Sequence, residues 1–364
     1  MIPASSNEIT ADWLNGALHE SGFLPPGRKL VSLTHEPVGI GEGFVSDMAR
    51  LTVEYDGDGN GLPATMIAKM PTPYESANAV AMLFNIYERE IRFYLEVAER
   101  SPIRTPKPIY GAVDAAAERY LLLIEDCSRF AQVDQIEGLN RQQTEQAVVA
   151  LADFHAHWWD SEELDRMDWL PKPRGPLVTP LADTYRGCWE VSLLSEEFVA
   201  ALPPGGREAG QLLHEHFPRL IDEAPGDKLT ISHFDFRVDN LFFDFENAEQ
   251  PVVVFDWQAA NANRGVTDVA YLLGGSLPIE LRRKIEKDVV KLYHRRLLER
   301  GVTGYSFDEC WDDYRRGTLV YAYIPALGCA SLDPSSERAK RLMPTLTERH
   351  FAAIVDNDAT SLLA

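Results

Sequence analysis

Cysteine and basic residues are both scarce in this chain of 364 residues. The four cysteines, at 127, 188, 310 and 329, are scattered and form no Cys-x-x-Cys pair, so they predict neither a zinc cluster nor a disulfide framework. Lysine and arginine together number 35 against 56 acidic residues, a formal charge of −21. This balance argues against nucleic acid as a partner, because neutralising phosphates requires a basic surface. The acidity favours either solubility or a cationic ligand.

Long apolar runs are also missing. No stretch approaches the roughly 18 apolar residues of a membrane span, and residues 1–13 lack the basic start and apolar core of a signal peptide. We therefore expect a cytoplasmic protein in a reducing compartment, without a membrane span. Apolar residues make up 45% of the chain, which is ordinary for a folded protein, and 364 residues are long enough for two lobes with a substantial core. The sequence leaves the oligomeric state open.

Residues 233–240, His-Phe-Asp-Phe-Arg-Val-Asp-Asn, carry the strongest chemical signal. Asp235 is followed five residues later by Asn240 and, sixteen residues after that, by Asp256. Phosphoryl transfer needs a base that orients a hydroxyl and oxygen ligands that hold magnesium on the phosphates. Asp235 fits the first role, and Asn240 and Asp256 fit the second. The alternative is a simple turn at 233–235 with Asp256 at a strand end.

The chain between Asn240 and Asp256 predicts the two strands of a hairpin. Residues 241–243 form one apolar run and residues 252–255 form the other, across a short polar turn. Ladder pairing would hold Asn240 and Asp256 near each other. One carboxylate, one amide oxygen and nucleotide phosphates suit the octahedral oxygen geometry that magnesium prefers.

Upstream residues supply the other parts that a kinase needs. Gly41, Gly43 and Phe44 belong to a glycine-rich segment between two predicted strands, where backbone amides can approach an anion; a plain hairpin turn is the alternative. Lys69 follows on an apolar strand, in the order that protein kinases show for their phosphate-pairing lysine. A lysine on a buried strand needs an anionic partner.

The helix predicted over 85–100 should provide that partner. Glu90 lies on or beside its apolar face, and we expect it to pair with Lys69 in place of its neighbours Glu88 and Glu96. An apolar strand over 119–124 then ends at Glu125. This strand leads from one lobe to the next, and its backbone groups at Glu125 are expected to contact a nucleotide base.

Aromatic residues and histidines between 154 and 190 leave two interpretations open. Five aromatic residues either line an acceptor cleft or belong to the core: Trp158, Trp159, Trp169, Tyr185 and Trp189. His155 and His157 cannot share a metal ion, since two residues apart on a helix they point about 200° apart. We interpret His155 as a buried structural histidine.

The order of these features resembles the kinase-like small-molecule phosphotransferases, which include aminoglycoside and choline kinases. Several strings resemble the ecdysteroid-kinase-like branch most closely. They are Gly-Glu-Gly-Phe at 41–44, Glu-x-x-Phe-Tyr at 90–94, Leu-Ala-Asp-Phe-His-Ala at 151–156, Asp-Asn-Leu-Phe-Phe at 239–243, and Asp-Trp-Gln at 256–258 followed by Asp-Val-Ala-Tyr at 268–271. The resemblance covers residues 30–275.

The resemblance implies an α+β, bilobal protein-kinase-like fold. Its N-lobe, 1–126, would combine an N-terminal helix with a small antiparallel, nucleotide-covering sheet. Its C-lobe, 127–364, would be larger, mainly helical, and would carry the catalytic and metal-binding loops. ATP and Mg²⁺ are the implied cofactors, and a small-molecule alcohol is the implied acceptor. An aminoglycoside-type antibiotic kinase and a catalytically silent nucleotide-binding module are the alternatives.

The chain departs from protein kinases at two places. Phe234 stands where they carry arginine, and Trp257-Gln258 replaces Phe-Gly after the metal aspartate. No Ala-Pro-Glu segment follows, which favours small-molecule acceptors over proteins. Arg237 either touches the transferring phosphate or forms a salt bridge with Asp239 or Glu246.

Overall fold

The computed structural model describes residues 1–38, 46–57, 61–172, 179–223, 226–331 and 337–363. The chain forms two compact units. Unit 1 comprises Met1–Phe130 together with Val254–Ala259, and unit 2 comprises Ala131–Val253 and Ala260–Ala364. The short segment at 254–259 therefore belongs to unit 1, although the residues before and after it in the sequence belong to unit 2.

Unit 1 contains a five-stranded antiparallel sheet in the order β1-β2-β3-β5-β4. The strands are β1 (Leu30–Pro37), β2 (Ser46–Tyr55), β3 (Thr65–Pro71), β4 (Pro108–Asp114) and β5 (Arg119–Glu125). The helices are α1 (Ala11–Glu20), α2 (Glu75–Leu83) and α3 (Ile86–Glu96). Thr10 caps α1, since its hydroxyl accepts the Trp13 N–H at 3.1 Å. The antiparallel sheet predicted for this part of the chain is confirmed.

Strands β3 and β5 both lie in the interior of this sheet. Residues 120–124 of β5 are all buried, as expected for an interior strand. Strand β3 pairs with β5 on one side and β2 on the other, so Lys69 stands opposite Met48 and Leu122. The sheet core closes on α1 through Leu14 and Leu18.

Unit 2 is mainly helical. Its helices are α4 (Arg141–His157), α5 (Thr179–Ser192), α6 (Glu196–Ala201), α7 (Gly206–Glu223), α8 (Val266–Ser276), α9 (Ile279–Glu299), α10 (Phe307–Val320), α11 (Tyr323–Ser331) and α12 (Glu337–Asp356). Its short strands are β6 (Ala131–Gln132), β7 (Thr230–Ser232), β8 (Leu241–Phe243), β9 (Val252–Val254) and β10 (Asn261–Asn263). Strands β6, β8 and β9 form one small sheet, in that order, and β10 pairs with β7. The predicted hairpin of β8 and β9 is thus present.

Large aromatic side chains fill the interior of unit 2. Trp158, Trp169, Tyr185 and Trp189 are all buried. Tyr185 stacks on Phe217, with ring centroids 4.4 Å apart. These four residues are core, so the interpretation that they line an acceptor cleft is wrong for them. Trp159 is half-buried, with its ring centroid 5.1 Å from that of Tyr305. No helix in the described parts of the chain is both long and apolar enough to cross a membrane.

Candidate active site

Lys69 lies at the centre of a buried charge cluster in unit 1. Its Nζ is 2.6 Å from Glu90 Oε1 on α3 and 2.8 Å from Asp256 Oδ1 in the 254–259 segment. Burial lowers the pKa of Lys69, but the charges of Asp256 and then Glu90 outweigh it, so the pKa is raised overall and the ammonium is retained. The predicted pair of Lys69 with Glu90 is present, and Asp256 is a second partner.

Helix α3 holds the segment that carries Asp256. The ring of Phe93 stacks on Trp257 with centroids 3.9 Å apart and an interplanar angle of 10°. Trp257 Nε1 donates to the Val254 carbonyl at 3.1 Å, which closes the turn around Asp256. Arg89 Nη1 donates to the Gln258 carbonyl at 3.2 Å. Arg89 and Phe93, one turn apart on α3, thus hold the 254–259 segment, and Glu90 on the same helix contacts Lys69 together with Asp256.

Asp235 lies in a loop of unit 2 between β7 and a short 3₁₀ turn at Val238–Asn240. The Asn240 side-chain Nδ2 donates to the Asp235 carbonyl and to Asp235 Oδ2, both at 2.9 Å. Its donors are therefore directed at Asp235, and the opposite end of the amide presents Oδ1. Asp235 and Asn240, which the sequence analysis groups by their spacing, are thus joined by direct hydrogen bonds.

The backbone of this loop is anchored by a carboxylate from α8. Asp268 accepts the N–H groups of His233 at 2.7 Å and Phe234 at 2.8 Å, and the Ser232 hydroxyl at 2.8 Å. Phe234 has φ of 63°, a left-handed conformation that bulky residues adopt only when their surroundings enforce it. Asp268 provides that enforcement.

Tyrosines surround the Asp235 carboxylate within unit 2. Burial of the Tyr271 hydroxyl, followed by the charge of the neighbouring Asp235 carboxylate, raises the pKa of Tyr271 well above its ordinary value. Tyr271 therefore stays protonated. The Tyr321 hydroxyl donates to the Phe234 carbonyl at 3.2 Å, and its ring stacks on Tyr271 at 4.2 Å. These contacts restrict both the backbone and the side chain of the loop.

Arg237 takes part in an ion-pair network beside Asp235. Its guanidinium is 3.3 Å from Asp235 Oδ1 and 2.6 Å from Asp239 Oδ2, and it also donates to Gln135 at 2.8 Å. Arg338 shares Asp239 at 2.9 Å. Of the two interpretations for Arg237, the salt bridge to Asp239 is observed, and the contact with Asp235 keeps a cation at the loop.

The structure describes only one of the other residues that the sequence predicts to contact the nucleotide, Glu125. Glu125 ends β5, where its carboxylate pairs with Arg129 at 2.5 Å and accepts the Lys107 N–H at 3.2 Å. Its own N–H donates to the Lys107 carbonyl at 2.9 Å. Both its side chain and its amide are therefore engaged within unit 1. Gly41, Gly43 and Phe44 lie outside the described residues.

Residues 53–315 match the APH family, described as the phosphotransferase enzyme family. The chain belongs to this family. It is a small-molecule kinase, a phosphotransferase with the α+β, kinase-like fold. No curated protein matches the sequence.

Solved structures share the fold of this phosphotransferase at low sequence identity. A candidate aminoglycoside phosphotransferase from Ralstonia eutropha JMP134 superposes with a TM-score of 0.57 at 16% identity, covering 97% of this chain and 98% of its own. Aminoglycoside 2'-phosphotransferase-IIIa in its GDP complex gives 0.52 at 13%, covering 92% and 98%. Choline kinase from Cryptosporidium parvum Iowa II gives 0.51 at 11%, covering 90% and 89%.

Sequence reasoning about this phosphotransferase missed the residues that support the site. Asp268, to which the sequence analysis assigns no role, anchors the loop of Asp235. The Asp-Val-Ala-Tyr string at 268–271 was the available signal, because it carries both Asp268 and Tyr271. The Phe93 to Trp257 stack had no local signal, since the two residues lie far apart in the chain.

Proposed function

We propose that the chain is an ATP- and Mg²⁺-dependent kinase that phosphorylates a hydroxyl group of a small molecule. Asp235 acts as the base, Asn240 and Asp256 as magnesium ligands, and Lys69, oriented by Glu90, as the contact to the nucleotide phosphates. Gly41, Gly43 and Phe44 are the proposed phosphate cover, and Glu125 marks the segment that contacts the base. The observation that carries the proposal is the buried contact of one lysine with Glu90 and Asp256.

The charge of that cluster suits a divalent cation. One ammonium facing two carboxylates leaves a surplus of one negative charge in a buried setting, which a bound cation would relieve. Among the described residues no group of three or more His, Cys, Asp or Glu side chains is arranged to hold a metal. Magnesium would therefore take much of its shell from phosphates and water, as it commonly does. When bound, it supplies neutralisation of charge on the phosphate oxygens.

The residues of the chain then account for the transfer. Asp235 accepts the proton of the acceptor hydroxyl as the hydroxyl oxygen bonds to the γ-phosphorus, and the bond from that phosphorus to the β–γ bridging oxygen breaks, releasing ADP. The Asn240 amide holds the Asp235 carboxylate in one orientation, next to the protonated Tyr271 hydroxyl. Arg237 offers a cation beside it, available to the transferring phosphate or to an acidic acceptor.

Local strings support a finer assignment to the ecdysteroid-kinase-like branch. The one at 90–94 places Glu90 and Phe93 on α3, and the one at 256–258 places Asp256 and Trp257 opposite them. The acceptor under this assignment remains a small-molecule alcohol.

Two measurements test the proposal. Binding of Mg·ATP at about 100 times its Kd should stabilise the protein by about 2.7 kcal/mol, visible as a rise in Tm. Transfer from γ-labelled ATP should then be screened across neutral ring alcohols, amino alcohols and aminoglycosides, with Asp235→Asn as the blank. Absence of nucleotide binding contradicts the kinase assignment. Binding without transfer to any class supports the silent module instead, and transfer to aminoglycosides alone supports the antibiotic kinase.

A further inference from the structure

Helix α9 carries basic residues of two kinds, and the proposed transfer uses neither. All of its arginines take part in salt bridges with carboxylates of unit 2: Arg282, Arg283, Arg295 and Arg296. Its three lysines are exposed and form no salt bridge with any residue that the structure describes: Lys284, Lys287 and Lys291. The arginines of α9 therefore stabilise the fold, whereas its lysines keep their charge for solvent or for a ligand.

The three lysines form one row on the surface of α9. They are spaced by three and then four residues, so they lie on the same face of the helix. At 1.5 Å per residue this lysine row is about 10 Å long. Asp288 is exposed on the same helix but is not within salt-bridge distance of any of them. The row thus remains a local excess of positive charge on a chain whose formal charge is −21.

Helix α10 places two aromatic rings against this row. Lys287 Nζ is 5.3 Å from the ring centroid of Trp311, and Lys291 Nζ is 5.9 Å from that of Phe307. The two rings stack on each other with centroids 6.4 Å apart, and both are half-buried. A ring face attracts a cation at such distances. Two of the ammonium groups are therefore held in position beforehand, which lowers the entropy cost of binding an anion.

The acidic surroundings of the row restrict the kind of anion that fits. Asp288 on α9 and Asp308 on α10 are both exposed beside it. A lipid bilayer or a nucleic acid duplex presents negative charge over a wide area, so it would also approach these carboxylates within the screening length of roughly 8 Å. A single peptide chain can contact the lysines and the rings alone. Charge complementarity hence favours a narrow acidic ligand.

We propose that the lysine row, together with Trp311 and Phe307, is a docking surface for an acidic, extended segment of a partner protein. Alternate side chains of an extended chain are roughly 7 Å apart, close to the separation of about 6 Å between Lys287 and Lys291 along the helix axis. Carboxylates at alternate positions can therefore each meet an ammonium. The half-buried rings offer apolar area to a flanking side chain. This surface is independent of the proposed phosphoryl transfer.

The first test uses a fluorescein-labelled peptide of alternating glutamate and tyrosine. Its binding to the full chain, followed by fluorescence anisotropy, should be saturable and should weaken as salt is raised, since exposed charges are screened. Replacing all three lysines of the row by glutamine should lower the affinity roughly tenfold or more. The matched control makes the same change of net charge at three exposed lysines elsewhere, and its affinity should stay within about twofold. These lysines are Lys29, Lys107 and Lys340.

Two further measurements locate the bound peptide. Trp311→Leu keeps every lysine and should lower the affinity by a smaller factor, roughly threefold. Carbodiimide crosslinking joins a carboxylate of the peptide to a lysine amine, and mass spectrometry should find the products at Lys284, Lys287 and Lys291. All three side chains are exposed, so the glutamine variant should unfold at the temperature of the wild type.

Four outcomes overturn the inference. They are the absence of peptide binding at low salt, equal losses in the row variant and its matched control, crosslinks spread evenly over the exposed lysines, and tighter binding of another anion through the same row. The last is measured with vesicles of phosphatidylserine and phosphatidylcholine and with single-stranded DNA. Tighter binding of either probe, lost in the row variant, would assign the surface to a membrane or a nucleic acid instead of a peptide.

Discussion

Lys69 in unit 1 and Asp235 in unit 2 are held in place by opposite means. Around Lys69, three charged side chains from β3, α3 and the 254–259 segment meet directly. Around Asp235, one ion pair with Arg237 is combined with the uncharged Asn240 donor, and the anchoring carboxylate of Asp268 binds backbone amides. The first arrangement depends on charge balance, whereas the second depends on the path of the backbone.

Both regions nevertheless contain a residue with strained backbone torsions. In unit 1 it is the proposed magnesium ligand itself, and in unit 2 it is the residue before the proposed base. Asp256 has φ of 66° and Phe234 has φ of 63°. Such a conformation costs on the order of 1–3 kcal/mol for a non-glycine residue and persists only when surrounding contacts enforce it. Trp257 and Phe93 enforce it in unit 1, and Asp268 and Tyr321 enforce it in unit 2. The comparison indicates that substitutions should alter affinity in unit 1 and turnover in unit 2.

The largest expected effect is on turnover in unit 2. Asp235→Asn should reduce kcat by a factor of about 10² or more, while nucleotide affinity stays near normal, because the amide cannot accept the proton. Steady-state kinetics with the acceptor found by the screen, together with nucleotide calorimetry, measures both. Asp165→Asn, an aspartate with a side chain 92% exposed, is the control. Wild-type turnover in Asp235→Asn would refute the base assignment.

The next effect is on affinity in unit 1. Asp256→Ala should weaken Mg·nucleotide binding by roughly 30-fold, about 2 kcal/mol, since the cluster loses its negative surplus. Without magnesium, calorimetry should show a much smaller difference in nucleotide affinity between Asp256→Ala and the wild type. An affinity that is unchanged in the presence of magnesium would count against a ligand role for Asp256.

Glu90→Gln should have a smaller effect of the same kind. Lys69 keeps Asp256 as a counter-charge, so nucleotide affinity should fall by roughly tenfold or less and kcat should change little. Glu88→Gln is the matched control, because Glu88 lies two residues away on α3 and faces Arg92 at 3.4 Å. Equal losses in the two variants would show that charge on the helix, and not the buried contact, is responsible.

The smallest expected effect is the pH response of the lysine cluster. The pKa of Lys69 is raised above its ordinary value of 10.5, so the stabilisation is complete below that value and is lost only as pH rises through the higher folded value. Between about pH 7 and 9 the ammonium persists, and nucleotide affinity should not change through Lys69. A loss of affinity in this window that Lys69→Arg abolishes would contradict the assignment.

Local patterns were sufficient wherever the relevant partners are close in sequence or share a periodicity. The strand of Lys69, the helix of Glu90 and the apolar segments after Asn240 follow from alternation and helical spacing. Glu90 was preferred over Glu88 and Glu96 because of its position beside the apolar face, and the observed pair with Lys69 agrees. Pattern alone left Arg237 undecided between a phosphate and a salt bridge, because a guanidinium binds phosphate and carboxylate oxygens alike.

The sequence by itself determined the element types and the phosphotransferase family, and it supplied the residues proposed to carry the chemistry, because these depend on residue identity and short-range periodicity. Only the tertiary structure decided that Trp257 stacks on Phe93, that Asp268 anchors the loop, and that Trp158, Trp169 and Trp189 are core. Each of these depends on contacts between residues that are distant along the chain. Such contacts are selected by packing and by the need to satisfy buried polar groups, and no local pattern records them.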